Sequence, residues 1–191
     1  NDKVVSVCLT RGDEEIIVAN KEGRAIRFNE QTVRTMGRNA TGVRAMRIDE
    51  GDEVIGMVSV CNPEKDTVLV VSDQGYGKRS DVEDYRITNR GGKGVKTMNI
   101  TDKTGKLVAL KVVNDEDDLM IINVSGITLR LHTSDIRVMG RATQGVRLIN
   151  LSKRGDTIAS ICRVPREDEE NINAETSEAT TEDSDQPEND N

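Results

Sequence analysis

Residues 85–96 read YRITNRGGKGVK, and the chain writes the same skeleton twice more, as VRTMGRNATGVR at 33–44 and IRVMGRATQGVR at 136–147. Superposed, the three stretches place one basic residue at Arg34, Arg86 and Arg137, a second at Arg38, Arg90 and Arg141, and a third at Arg44, Lys96 and Arg147. Gly42, Gly94 and Gly145 also coincide. A period of about fifty residues held over three copies marks a repeat architecture, in which each copy is one supersecondary unit packed on its neighbours. A single loop arginine is ordinarily solvated surface charge. Repetition changes that reading, because equal folds return the basic positions to equivalent points of successive units and line them into a stripe, the electrostatic footprint of a polyanion site.

Outward from the signature, each copy opens on an apolar run at residues 4–9, 54–60 and 107–113. After a polar turn comes a second run rich in β-branched residues, at 16–19, 68–71 and 119–122. Their length and branching specify strands. Gly23, Gly75 and Gly126 then turn the chain into RAIRF, YGKRS and ITLRL, where alternation sets Arg27, Arg79 and Arg130 in register as a fourth basic position. Past the signature, a fourth strand is expected from Val43, Val95 and Val146. Four strands in about fifty residues, with no amphipathic helix, give an all-β, propeller-like repeat of four-stranded blades. Divided by copy, the blades are 1–51, 52–105 and 106–156, and residues 157–164 begin a fourth copy as a lone closing strand. Three blades leave the ring incomplete, so further copies are expected before Asn1.

The net charge of −7 is unevenly spread. Residues 166–191 hold eleven Asp and Glu against the single Arg166, which makes that stretch −10 and the rest of the chain +3. With Ile172 and two alanines as its apolar content, the acidic tail cannot offset its ordering entropy by burial and is expected to be disordered. No apolar run approaches the roughly 20 residues of a membrane-spanning helix, and no signal-peptide pattern precedes the first copy. Since the chain starts at Asn1, it reads as an internal or C-terminal fragment. Cys8, Cys61 and Cys162 are odd in number and far apart, against both a disulfide framework and a zinc site, and are expected as buried, reduced thiols.

The absence of tryptophan argues against WD repeats, and an aromatic content of 2% argues against kelch repeats. The arginine and glycine skeleton, the GYGKR phrase at 75–79, YRITNRGGKGV at 85–95, VMGRATQGV at 138–146 and the acidic end together resemble the C-terminal domain of bacterial DNA gyrase A, the β-pinwheel. The resemblance covers residues 1–165 and extends in kind to the tail. That family's hallmark box reads Gln, basic, Arg, Gly, Gly, basic, Gly in its first blade. Here Arg90, Gly91, Gly92, Lys93 and Gly94 match its last five positions, but Thr88 and Asn89 stand where Gln and a basic residue belong, and the motif lies in a middle copy. The full box is therefore expected upstream of Asn1.

The resemblance implies sequence-independent binding and bending of double-stranded DNA, in support of ATP-dependent negative supercoiling by a type II topoisomerase. Residues implied to touch DNA are the twelve repeated basic positions already named, together with Lys78 and Lys93. It further implies assembly with the rest of gyrase A and with gyrase B in a heterotetramer, and a bacterial cytoplasmic, nucleoid-associated location without membrane contact. ATP and Mg would bind elsewhere in the parent, with no cofactor in this fragment. Alternatives are the related C-terminal DNA-binding domain of topoisomerase IV, and a protein-binding propeller that uses its face. The latter would want aromatic anchors at the hub.

The sequence marks no catalytic group. Tyr85 matches Val33 and Ile136, the pattern of a packing residue, and Tyr76 lies in a glycine turn. His132 stands on a loop without a partner that would suggest a triad or metal. Residues 75–78 lack the glycine spacing and the Ser or Thr of a phosphate loop. Met36 and Met139 are expected to fill the core between blades, and the repeated Gly42, Gly94 and Gly145 to serve backbone geometry rather than phosphate approach.

Overall fold

A computed structural model describes residues 3–151 and 155–165. The acidic stretch 166–191 therefore lies outside the described residues. Three antiparallel hairpins form its frame: β1 (Glu15–Asn20) with β2 (Arg24–Asn29), β4 (Thr67–Ser72) with β5 (Tyr76–Asp81), and β8 (Asp117–Asn123) with β9 (Thr128–His132). The remaining strands are β3 (Val54–Val60), β6 (Val95–Lys96), β7 (Leu107–Val113), β10 (Val146–Arg147) and β11 (Ile158–Pro165). Each hairpin turn is closed the same way. The side-chain oxygen of Asn20, Ser72 or Asn123 accepts from the backbone N–H four residues on, at Arg24, Tyr76 or Ile127. The intervening glycine takes a positive φ, +83° at Gly23, that a residue with a Cβ rarely adopts.

The sheets do not follow the copies. Their strand orders are β3-β1-β2-β6, β10-β5-β4-β7 and β11-β8-β9. The first two copies thus keep their hairpins and receive both outer strands from the next copy, and the third receives β11. This exchange explains two departures from expectation. Residues 4–9 form no strand, and Val4, Val7 and Leu9 are exposed, because the equivalent β3, β7 and β11 all pair with the preceding hairpin and no hairpin precedes β1 among the described residues. For the same reason Val43 and Arg44, equivalent to β6 and β10, join no sheet among the described residues. Where it forms, the fourth strand is only two residues long.

All three signature glycines take a positive φ, +84° at Gly42, so they serve backbone geometry as expected. At two of them close approach adds a second constraint: a Cβ on Gly94 would sit 2.3 Å from the carbonyl oxygen of Ala25, and one on Gly145 would sit 2.6 Å from that of Gly77, while one on Gly42 would meet nothing.

The core lies between the sheets. In β4, Val68 and Val70 face the cluster with Ile17, Ala19, Met98 and Leu107, whereas Leu69 and Val71 face the one with Leu119, Ile121 and Ile136. Burial on both faces is why this strand reads as an unbroken apolar run. Met98 does the filling between sheets expected of Met36 and Met139, which are only half-buried, while Met46 packs with Ile16, Val18, Ile26 and Phe28 on the other face of the first sheet. Of the cysteines, all are free, Cys8 is half-buried, and Cys61 and Cys162 are exposed. Each of the latter two comes directly after the inward residue of its strand, Val60 or Ile161, so alternation turns it outward.

Candidate nucleic-acid interface

The arginine at the centre of each second hairpin strand builds the joint between copies. Arg27, 4% exposed, donates Nε to Glu15 at 2.6 Å and Nη1 to the carbonyls of Val82 and Tyr85 at 2.8 and 3.0 Å, and pairs with Glu83 at 3.1 Å. Val82 belongs to the 3-10 turn Val82–Asp84 of the second copy, and Tyr85 caps it. Arg79, 5% exposed, repeats the arrangement one copy on, donating to the Ile136 carbonyl at 2.8 Å and pairing with Asp115 at 2.6 Å. Neither guanidinium lies on a surface that a ligand could reach, which corrects the expectation of a fourth rim position. The register was right, but the next copy covers it.

Lys78 is corrected likewise. Its side chain is fully buried, and its Nζ donates to the Gly140 carbonyl at 2.7 Å and to the Ser80 hydroxyl at 3.1 Å. Burial pushes its pKa down to about 8, helped by Arg141 and opposed by Asp84. Arg130 occupies the same register place as Arg27 and Arg79, but its side chain is 47% exposed and pairs within its own hairpin, with Asp118 at 2.6 Å. His132 closes a strand instead of standing on a loop. At the end of β9 its Nδ1 meets Asp118 at 2.7 Å, and this bond, more than that of Arg130, holds the Asp118 carboxyl below its ordinary range.

The signature residues lie outside these joints. Arg34, Arg38, Arg44, Arg86 and Arg137 are exposed. None of the five side chains makes a hydrogen bond or ion pair among the described residues. Arg90 and Arg141 are half-buried and reach back to the preceding copy, Arg90 to the Arg44 carbonyl at 3.4 Å and Arg141 to the Lys96 carbonyl at 2.8 Å. Parallel backbone links support them: the Arg47 amide donates to the Gly92 carbonyl and the Asn99 amide to that of Thr143. The three signatures are thereby fixed edge to edge. Lys93 pairs loosely with Asp49 at 3.4 Å, and Lys96 bonds Asn99 at 3.3 Å. Arg147 donates to the Tyr76 hydroxyl at 2.8 Å. A cleft of about 230 Å³ between β2 and the second signature is lined by Arg86, Lys93, Asn89 and the backbone of Gly92 and Gly94.

Tyr85 is wholly buried, its hydroxyl 2.5 Å from that of Thr97, and burial raises its pKa. Two exposed cations that the repeat pattern did not single out, Arg24 and Lys103, adjoin the third basic position of the signature. Arg24 had a signal in the sequence, its place directly before the alternating AIRF. Lys103 had a weak one, because the third copy also carries basic residues, Lys153 and Arg154, just before its Gly155, as Lys103 comes just before Gly105.

A family model described as the DNA gyrase C-terminal domain, beta-propeller, matches residues 14–61, 66–114 and 117–164, well over half of the chain. The chain belongs to this family. Each matched segment begins at a hairpin and takes in β3, β7 or most of β11, the long strand that the next copy lends to it, while β6 and β10 fall in the segment that follows. Over 183 residues the chain is 43% identical to DNA gyrase A of Staphylococcus aureus, covering 95% of this chain and 20% of that protein. It therefore spans about a fifth of the length of such relatives. Among solved structures, a DNA gyrase A C-terminal domain matches at 28% identity with a TM-score of 0.73, over 80% of this chain and 51% of the other. The C-terminal domain of a DNA topoisomerase IV matches at 22% identity with a TM-score of 0.80, over 93% of this chain and 55% of that one. At that identity the second likeness concerns the fold alone.

Proposed function

We propose that this gyrase-family domain binds double-stranded DNA without regard to sequence and bends it along the row of signatures. The carrying observation is the uncompensated charge of that row. Arg90 and Arg141 join consecutive signatures edge to edge, and no carboxylate neutralises Arg34, Arg38, Arg44, Arg86 or Arg137 among the described residues. Contacts of this kind go to phosphate, fix the path of a duplex and carry no base code. Bending 20–30 base pairs by 40–90° costs on the order of 1–6 kcal/mol, which several phosphate contacts offset.

Within the longer protein, this activity would support ATP-dependent negative supercoiling by a type II topoisomerase built from gyrase A and gyrase B and acting on the bacterial nucleoid. Strand cleavage, ATP and Mg would be handled by its other domains. Paucity of aromatic residues, 2% of the chain, disfavours a protein-binding face.

Duplexes of unrelated sequence, titrated between 50 and 200 mM salt, test the reading. With 6–10 phosphate contacts the affinity falls by about 10³ to 10⁵ over that range. Replacing Arg34, Arg86 and Arg137 together with Ala lowers the slope of log K against log salt by about 2.7, that is ~0.9 per phosphate, equally for every sequence. Salt-insensitive binding, or a loss confined to one sequence, overturns it. Sealing a nicked plasmid in the presence of the domain reads the bend as a change in linking number, and an unchanged value removes bending while leaving binding.

A further inference from the structure

Each joint gathers two exposed cations, across a strand pair at the first and around one tyrosine ring at the second. At the first, β2 and β6 pair Arg24 directly opposite Lys96. At the second, β5 and β10 pair Tyr76 opposite Arg147, whose guanidinium lies 5.4 Å from the centre of the Tyr76 ring. Lys103 places its Nζ 5.7 Å from the same ring. The two joints therefore reach the same result by different residues, Arg with Lys across a strand pair in one, Arg with Lys on an aromatic platform in the other.

Like charges directly opposite on paired strands repel and destabilise the sheet. Among the described residues, no ion pair involves Arg24, Lys96, Lys103 or Arg147. The second pair is also held in place. Thr104 is fully buried, accepts from the Thr101 amide at 2.8 Å and donates to the Asn99 carbonyl at 3.1 Å, which shapes the loop that carries Lys103. Arg147 is anchored by its bond to the Tyr76 hydroxyl. A cation on an aromatic face is attracted by the ring quadrupole but keeps its full charge.

Building on the DNA-binding reading above, we infer that each joint is a seat for a single phosphate of the duplex, shared by its two cations: Arg24 and Lys96 at the first joint, Lys103 and Arg147 at the second. Tyr76 is the positioning residue of the second seat. An anion between the two cations turns their mutual repulsion into two attractions. The spacing of the seats is set by the strand exchange, one per joint, so they mark points past which the duplex runs from one copy to the next.

The slope of log K against log salt counts phosphates neutralised rather than cations supplied, and this separates a shared seat from two independent contacts. For the chain carrying Lys103→Ala and Arg147→Ala, the expected loss of slope is ~0.9, and the same for Arg24→Ala with Lys96→Ala, against ~1.8 for either pair if each cation binds its own phosphate. Tyr76→Leu keeps both charges and is expected to lower the slope as the Lys103/Arg147 double variant does, while Tyr76→Phe retains the platform and restores most of it. Because Lys103 is on an exposed loop, its variant reads the seat even if Tyr76→Leu weakens the fold. Losses of ~1.8 per pair, or none, overturn the shared seat while wild-type binding stays salt-dependent. Wild-type binding without salt dependence overturns the DNA-binding reading itself.

Discussion

Arg27 and Arg130 stand at the same point of their hairpins, opposite Ile17 and Met120, yet one is a buried clamp and the other an exposed charge. The difference lies in the next stretch of chain. After Arg27 comes a further copy, whose 3-10 turn lays two carbonyls and the Glu83 carboxylate against the guanidinium. After Arg130 no such turn arrives among the described residues, and the side chain settles for Asp118 of its own hairpin. A guanidinium presents five donors in a fixed fork, suited to collecting several acceptors at once. In a repeat protein, then, the role of a repeated residue belongs to the joint and not to the copy.

The sharpest way to break this comparison is Arg27→Ala. It leaves Glu15 and two buried carbonyls without their partner, and loss of one member of a buried pair costs about 3 kcal/mol or more. The same change at Arg130 is expected to cost clearly less, because its one partner, Asp118, keeps the bond to His132. Denaturant melts of the two variants measure the gap, and equal losses would refute the joint.

A second contrast concerns Lys78, fully buried where the equivalent residues of the other copies are Ile26 and Leu129. Its pKa in the folded state, about 8, lies below the 10.5 of a free lysine, so between those values the unfolded chain binds more protons than the native one. Stability therefore rises as pH increases from about 8 to 10.5, by up to roughly 2–3 kcal/mol, and is level below that window for this group. Melts of the wild type and of Lys78→Met across that window should diverge in slope, the variant losing this contribution.

Smaller again is Tyr85→Phe. Removal of the hydroxyl that meets Thr97 leaves the buried Thr97 oxygen short of a partner, at a cost of about 1–2 kcal/mol. Smallest of all is the triple change of Arg34, Arg86 and Arg137 to Ala, expected to shift stability by no more than about 0.5 kcal/mol per site, since these side chains hold nothing in the fold. Its effect should appear in DNA affinity instead. A melt that collapsed on this substitution would show that the rim, too, is structural.

Much of the candidate interface was legible because three near-identical signatures can be superposed by eye. Arg34, Arg86 and Arg137 are exposed and, among the described residues, unpaired, as a stripe requires. Arg27, Lys78 and Arg79 were misread for a physical reason: alternation tells which residues share a face, but not that another sheet will be laid on it. Conversely, Lys103 lies outside the signature, and its approach to Tyr76 is a tertiary contact that alternation does not reveal.

The sequence by itself determined the all-β class, the period, the three glycine-closed hairpins and the unbroken apolar strand β4, since these rest on local branching, turn chemistry and alternation. Tertiary structure alone decided that the outer strands of each sheet come from the next copy, that Gly94 and Gly145 lie against a neighbouring carbonyl, and that equal arginines split into buried clamps and an exposed charge. Those outcomes depend on contacts between residues about fifty positions apart. Whether a charge is buried or solvated is settled only when the next hairpin arrives to cover it.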